Sequence, residues 1–414
     1  MEHMIGLTDT AYLGRVGEVE LGASALAGVY YLVIYMLGFG FSVGAQVLMA
    51  RRNGEGEYKR IGEVFTQGGL FLFLLAAVLF TPYLLHRMIG SEEVYRATMS
   101  YLDWRVYGFF FSFIAVMFRA FYVSTTNTKI LTANSVVMVL TNVVLNYILI
   151  FGKFGFPALG IAGAAIASSI SEAVSVLFFV IYTWKKIDYK KYGLFRFTRV
   201  DFRMLGQILS VSIWVMIQHG IAFGGWFIFF IAMEHLGERP LAITNVVRSI
   251  SSFLFMFVNA FASTNSSLVS NLIGAGESDR VLPLCRRMIG LCYAFVLPIG
   301  ILIAMFPSTV LRIYTDNPDL IASSIPSLWV MLSSYLFAVP GFIYFFSVSG
   351  TGNTRRALEI DMASIFVYVL YILYVAVWLR ADVAVCWTTE YVYNIMILSS
   401  FFYLWKGNWR NKKI

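Results

Sequence analysis

The chain has 414 residues, of which 59% are hydrophobic and only 13% are charged, and its mean hydropathy is +0.74. A soluble globular domain carries charge on about a quarter of its residues, so this composition excludes a water-soluble protein. The net charge of +8 would suit a nucleic-acid partner, but the basic residues lie in loops between apolar stretches, which argues against one.

Apolar stretches follow one another along the whole chain. A run of about 20 apolar residues crosses the hydrocarbon core of a bilayer as a helix, because every backbone N–H and C=O must be paired inside the element. A stub at residues 1–14 comes first. About eleven full spans are then predicted, near 24–50, 61–85, 97–123, 131–152, 160–184, 205–236, 241–273, 285–306, 321–349, 357–380 and 383–405. We therefore predict an all-α polytopic membrane protein.

Lys and Arg are concentrated in alternate loops. They follow the first full span at Arg51 and Arg52, fill the connection from Lys185 to Arg203, and recur in the tail after residue 405. Basic loops remain on the cytoplasmic side of a membrane. This pattern predicts a multi-pass protein of the inner (plasma) membrane with a cytoplasmic C-terminus. Membrane lipid, rather than nucleic acid, is then the partner of the basic residues.

Two motifs recur about 220 residues apart, which is the signature of an internal repeat. The sequence Gly-x-Gly-Glu ends at Glu57 and again at Glu277, and the segment 123–129 resembles 348–355. All four lie on the side predicted to be cytoplasmic, so we predict two parallel six-helix repeats. The domains would be an N-terminal lobe at 1–184, a linker at 185–204, a C-terminal lobe at 205–405 and a basic tail at 406–414.

The repeat also predicts that the first helix is truncated. The counterpart of the span at 205–236 would begin ahead of Met1, and the stub at 1–14 is too short to cross about 30 Å at 1.5 Å per residue. We expect that the natural protein, or its gene model, lacks most of this helix. The alternative is a genuine eleven-span variant.

Motifs of enzymes are absent from the sequence. It has no G-x-x-x-x-G-K-[ST] phosphate loop, no H-E-x-x-H and no Ser/His/Asp set, and Cys285, Cys292 and Cys386 show no paired spacing. We predict a protein that is not an enzyme and uses neither ATP nor a cofactor. Transport would then be driven by a gradient of Na⁺ or H⁺.

Four segments carry a family resemblance: LTDTAYLG at 7–14, LNYILIFG at 145–152 with its continuation to 167, SGTGNT at 349–354, and the aromatic stretch at 387–409. In this order they resemble the multidrug and toxic compound extrusion (MATE) family. The resemblance implies a V-shaped pair of lobes and a monomeric antiporter working by alternating access. It would export small organic, cationic or amphipathic compounds, such as drugs and toxic metabolites, in exchange for Na⁺ or H⁺.

The resemblance also implies a cation site in the N-terminal lobe. Its members match Asp9, Asn142 and Asn146, and Ser168 stands where relatives often carry Thr. Many relatives have Asp where this chain has Asn146, which leaves the choice between Na⁺ and H⁺ open.

The residues themselves support this assignment. An ionisable group inside a membrane span is costly, so it is a functional candidate by default. Asp9 could take up a proton or bind Na⁺ together with neutral oxygens. Asn142 and Asn146 are four residues apart and share one helix face. The alternative is that the two amides only join helices.

Further titratable residues in the spans are candidates for second sites: Glu172, His219, Asp361 and Glu390. Glu172 would either form an ion pair with Arg119 or line the cavity. His219 lies near the position where some relatives carry a Glu.

The two acids near the end of the chain have alternatives of their own. Asp361 follows Arg356 closely enough for a local pair with Arg355 or Arg356. Glu390 would be a second functional carboxylate or an interfacial residue paired with a neighbouring helix.

Two other functions stay open from the sequence. A lipid-linked oligosaccharide flippase of the same broad superfamily would show a cationic cavity and additional helices, whereas few Arg or Lys lie within these spans. A membrane enzyme or a non-transporting receptor is the other alternative.

Overall fold

The computed structural model describes residues 9, 12–13, 16, 18–79, 92–194, 200–315 and 317–410. Within these ranges the chain is helical and has no strand. Ten of the described helices are long and apolar enough to cross a membrane, which confirms the prediction of a polytopic all-α protein. The predicted helix start ahead of Met1 and most of the stub lie outside the described residues.

The long helices follow the predicted spans closely. In chain order they are α1 (Glu18–Gly54), α2 (Tyr58–Leu79), α3 (Glu92–Ser124), α4 (Lys129–Phe151), α5 (Gly160–Lys186), the short α6 (Tyr189–Tyr192), α7 (Phe202–Leu236), α8 (Glu238–Gly274), α9 (Val281–Met305), the short α10 (Pro307–Leu311), α11 (Pro318–Gly350) and α12 (Thr354–Ile372), which a π-helical turn extends to Trp378.

The last predicted span, 383–405, is interrupted. It consists of α13 (Val383–Cys386), α14 (Thr389–Ile397) and α15 (Ser400–Lys406). The junctions are tight turns, in which the N–H of Glu390 donates to the C=O of Trp387 at 3.1 Å and that of Phe401 to Leu398 at 2.9 Å. Such three-residue steps are 3₁₀ turns, so the backbone continues to turn helically while the regular α-helix breaks twice.

The chain forms two compact units, Met1–Met216 and Ile217–Ile414, with the boundary inside α7. In the first unit α3 packs against α1, α2 and α5, and α4 packs against α5. In the second unit α11 takes the place of α3 and packs against α8, α9 and the α13–α15 segment, while α12 packs against α14. The same packing order in both units is what an internal repeat predicts.

The turns that follow α1 and α8 share the same backbone conformation and hydrogen bonds. Gly56 has φ 74° and Gly276 has φ 78°, a left-handed conformation that favours glycine. The next residue, Glu57 or Glu277, donates its N–H five residues back, and its carboxylate then accepts an Arg three residues on. The Gly-x-Gly-Glu motif therefore marks equivalent positions in the two repeats.

Candidate functional site

The amides predicted to bind a cation lie on one buried stripe of α4. Asn134, Met138, Asn142 and Asn146 follow at intervals of four residues, and all are buried. Four residues is slightly more than one helical turn, so these side chains face the same neighbour. That neighbour is α5, where Asn134 donates to Ser175 at 2.7 Å.

Asp9 lies at the end of this stripe and is only 4% exposed. Its Oδ1 accepts the amide of Asn146 at 2.8 Å and that of Asn142 at 3.4 Å. Its Oδ2 accepts the hydroxyl of Ser168 at 2.8 Å and that of Tyr101 at 3.1 Å. The structure thus brings together the four predicted residues and adds Tyr101, which the sequence analysis did not select.

The neighbours of Asp9 also bond to one another. The amide of Asn146 donates to Oδ1 of Asn142 at 3.2 Å, and the amide of Asn142 donates to Oγ of Ser168 at 3.0 Å. Oδ1 of Asn146 is buried and has no hydrogen-bond partner among the described residues. The network therefore includes a neutral oxygen that no donor among the described residues uses.

This arrangement suits a charged carboxylate, because every neighbour donates to Asp9. Hard monovalent and divalent cations prefer oxygen ligands, and an Asn side chain offers either its N–H₂ or its oxygen. If the amides of Asn142 and Asn146 turned over, their oxygens would face the carboxylate. No group of three or more His, Cys, Asp or Glu side chains that could hold a metal ion is found among the described residues. A cation at Asp9 would therefore be bound by one acid and neutral oxygens.

A second ionic cluster lies beside the first. The guanidinium of Arg105 bonds Oε1 of Glu172 at 2.7 Å, and their side chains are 3% and 1% exposed. The hydroxyl of Tyr31 donates to the same oxygen at 2.9 Å and is 2.5 Å from Oγ of Ser112. The alternative that Glu172 forms an ion pair with Arg119 is therefore wrong: Glu172 bonds Arg105, and Arg119 lies over the ring of Phe39, 4.8 Å from its centroid.

One signal in the sequence could have found Arg105. It is one of the few basic residues inside a predicted span, and it lies one helical turn after Tyr101. The two side chains therefore share a face of α3. Because Tyr101 meets Asp9 across 92 residues of sequence, no local pattern indicates which neighbour this face contacts.

In the second unit Asp361 is buried on α12 and accepts the hydroxyl of Tyr393 at 2.9 Å. The alternative of a local pair with Arg355 or Arg356 is wrong. Both arginines bond Glu359 instead, at 3.4 Å and 2.7 Å. Glu359 lies on the exposed face, and Asp361 points to the inside of the unit.

Glu390 is half-buried at the start of α14, directly after the first 3₁₀ turn. The hydroxyl of Tyr368 donates to its Oε1 at 3.5 Å, and the ring of Tyr368 lies 6.0 Å from that of Tyr393. The two acids of this unit are thus linked through two tyrosines. His219 is half-buried on α7, in the same unit.

Comparison with known proteins gives consistent matches. The model of the MatE family matches residues 1–148 and 215–375. A protein of Synechocystis sp. named "Probable multidrug resistance protein NorM" is 29% identical over 322 residues, which are 76% of this chain and 69% of the relative. A Thermotoga maritima protein of the same name is 26% identical over 387 residues, 91% of this chain and 82% of the relative.

Solved structures agree with the fold. The Vibrio cholerae MATE transporter VcmN in its bent form superposes with a TM-score of 0.85 at 18% identity, covering 97% of this chain and 92% of that one. The eukaryotic MATE transporter AtDTX14 gives 0.83 at 17% identity, covering 99% and 92%. At this identity the likeness concerns the fold.

Proposed function

The chain belongs to the MatE family, and from this premise we propose that it is a secondary antiporter that exports organic compounds in exchange for Na⁺ or H⁺. Proteins of this family are transporters and not enzymes. The relatives are named as multidrug resistance proteins, which supports drugs as cargo. We propose that the exported compounds are cationic or amphipathic and include toxic metabolites. None of these relatives points to an oligosaccharide flippase, so that alternative has no support.

The single observation that carries the proposal is the buried carboxylate of Asp9 with its four donors. A charged group enclosed in a membrane protein is costly, so it is a functional candidate by default. The carboxylate and hydroxyl oxygens here, with the amide oxygens that Asn142 and Asn146 would present after turning over, are the ligands that a small cation prefers. Asp9, Asn142, Asn146 and Ser168 would be the coupling site, and Na⁺ would use Asp9 and the two Asn.

The hydrogen bonds suggest how ion binding would act on the fold. Asn142 and Asn146 lie on α4, Ser168 on α5 and Tyr101 on α3, so neutralising Asp9 alters the contacts of three helices at once. A ligand shifts a two-state equilibrium only by binding the two states differently. The ion and the cargo would each favour one state of an alternating-access cycle, and their affinities would be reciprocally coupled.

The location follows from the charge pattern. Arg51 and Arg52 end α1, and Lys406 ends α15, so these helix ends would face the cytoplasm. We therefore propose that the protein lies in the inner (plasma) membrane, in contact with anionic lipid and with its C-terminus inside. We further propose that it is a monomer and does not use ATP.

A reconstituted system tests this function. Purified protein in proteoliposomes would move the cationic dye ethidium against its gradient when an inward Na⁺ gradient or an inward pH gradient is imposed. Each gradient is applied alone, and ionophores that dissipate it serve as controls. If neither gradient drives ethidium, and if expression in an efflux-deficient host does not lower dye accumulation, the proposal is wrong.

The two acids of the second unit, Asp361 and Glu390, give a separate prediction. Asp361 and Glu390 make no salt bridge with any described residue, and a carboxylate in a span without a counter-charge is a functional candidate. We expect Glu390→Gln and Asp361→Asn to slow ethidium export several-fold across a series of pH values while coupling to the gradient persists, because Asp9 remains. Glu359→Gln, an acid of the exposed face, is the matched control. Rates equal to that control at every pH would remove both acids from the candidate sites.

A further inference from the structure

Glu172 is a second acid on the same helix face as the coupling site. It follows Ser168 by four residues on α5, so the two side chains point in the same direction. Ser168 donates to Asp9, whereas Glu172 bonds Arg105. The first unit thus contains two buried carboxylates, Asp9 and Glu172. The residue that bonds Asp9 on α5 lies one helical turn before Glu172, and of the two acids only Glu172 has a basic partner within hydrogen-bond distance.

Arg105 is placed between these two acids. It bonds Glu172 at 2.7 Å, and its charge also acts electrostatically on Asp9. On α3 it lies one turn after Tyr101, the residue that donates to Oδ2 of Asp9. Among the described residues, the titratable groups that interact with the pair include Tyr31 on α1, Tyr101 on α3 and Asp9.

The protein holds Arg105 firmly in this position. Cζ of its guanidinium lies over the ring of Tyr31, 3.8 Å from the centroid, and the hydroxyl of Tyr31 donates to the carboxylate that Arg105 binds. Arginine stacks on aromatic faces and binds carboxylates with fixed geometry, which makes it suited to a permanent buried pair. Oε2 of Glu172 has no hydrogen-bond partner among the described residues, so the subsite keeps an unused acceptor.

The charges of the cluster decide how many cations it attracts. Two carboxylates close together in a low dielectric repel each other, so they do not both remain charged without compensation. Each would therefore tend to take up a proton or another monovalent cation, which makes two. Arg105 neutralises one of them, and the neutral Asn146 adds no further negative charge. A single negative charge is then left for exchange.

We propose that Arg105 is a tethered cation that permanently fills the acidic subsite of Glu172, so that this unit exchanges a single monovalent cation, at Asp9. The inference rests on the proposed function of Asp9. It makes Arg105 a positioning residue that sets the number of ions coupled to transport. It also predicts that Arg105, once deprived of Glu172, turns its charge to Asp9 and competes with the coupling ion.

The test counts cations on the purified full chain in detergent. Bound ²²Na⁺ is measured at saturation, and protonated carboxyl groups are followed by the C=O stretch in infrared difference spectra between high and low pH. We expect the wild type to hold one exchangeable cation that Asp9→Asn removes. Arg105→Gln should gain a second, and Arg105→Gln/Glu172→Gln should return to one.

A further variant tests the competition. In Glu172→Gln the unpaired Arg105 should weaken cation binding at Asp9 by about tenfold or more, because an opposite charge nearby shifts a carboxylate's affinity for protons by one or more orders of magnitude. The double variant should restore the affinity. Arg119→Gln, which removes another arginine of α3, a partly buried one over the ring of Phe39, is the matched control and should leave the count unchanged.

The outcomes separate the two proposals. If Asp9→Asn binds the same number of cations as the wild type, the proposed function fails, and this inference with it. If Asp9→Asn loses the cation but Arg105→Gln, folded and monodisperse, still binds only one, Arg105 does not set the count. Should Arg105→Gln not fold, Glu172→Gln decides: unchanged affinity at Asp9 in that variant overturns the inference.

Discussion

Asp9→Asn is expected to abolish ethidium export driven by an ion gradient and to leave only the leak of protein-free vesicles. Asn has the shape of Asp but can neither carry the negative charge nor take up a proton. The donors from Asn142, Asn146, Ser168 and Tyr101 would face a neutral amide, and a cation would meet no net charge. The measurement is initial dye transport in proteoliposomes under each gradient, at matched protein content.

A matched control is available on α3. Asp103 is exposed, two residues after Tyr101, and Asp103→Asn removes one carboxylate of the same type without touching the network. It should transport at the wild-type rate. Export by Asp9→Asn that still depends on the gradient would show that the coupling ion binds elsewhere.

Gly108→Ala should destabilise the first unit, because it would crowd the buried pair of Arg105 and Glu172. A Cβ at this position of α3 would lie 2.4 Å from Oε2 of Glu172 and 2.5 Å from Nη1 of Arg105. Overpacking costs about 1–3 kcal/mol, and breaking a buried ion pair costs about 3–5 kcal/mol. We therefore expect a loss of about 3 kcal/mol or more, measured as a lower midpoint of thermal unfolding in detergent.

The control for this prediction is Gly69→Ala on α2. A Cβ there has no neighbour within 4 Å, and Ala is favoured over Gly inside a helix by up to about 1 kcal/mol. Gly69→Ala should thus be neutral or stabilising. Equal unfolding midpoints for both variants would mean that Arg105 and Glu172 move apart without cost.

The sequence predicted those parts of the site that a single helix encodes. Asn142 and Asn146 are four residues apart, and helical periodicity alone places them on one face. The contact of Asp9 with Tyr101 joins segments 92 residues apart, and no periodicity reports such packing. The family resemblance, rather than a physical rule, supplied Asp9 and Ser168 as their companions.

The errors have a common cause. A local pair with Arg355 or Arg356 was one alternative for Asp361, and a pair with Arg119 was one alternative for Glu172, yet both acids point into the interior and bond Tyr393 and Arg105 there. In both cases the partner lies on another helix, which position along the chain does not identify. The breaks in the last span are likewise invisible to hydropathy, because a 3₁₀ turn needs no change in composition.

The partners of Asp9 all belong to the first unit: Tyr101, Asn142, Asn146 and Ser168. If Asp9 is the coupling site, as we propose, ion binding would then need only residues of this unit. The coupling ion and the exported compound would not have to contact the same atoms, so residues that bind the compound could change in evolution while the coupling of transport to the ion gradient stays the same.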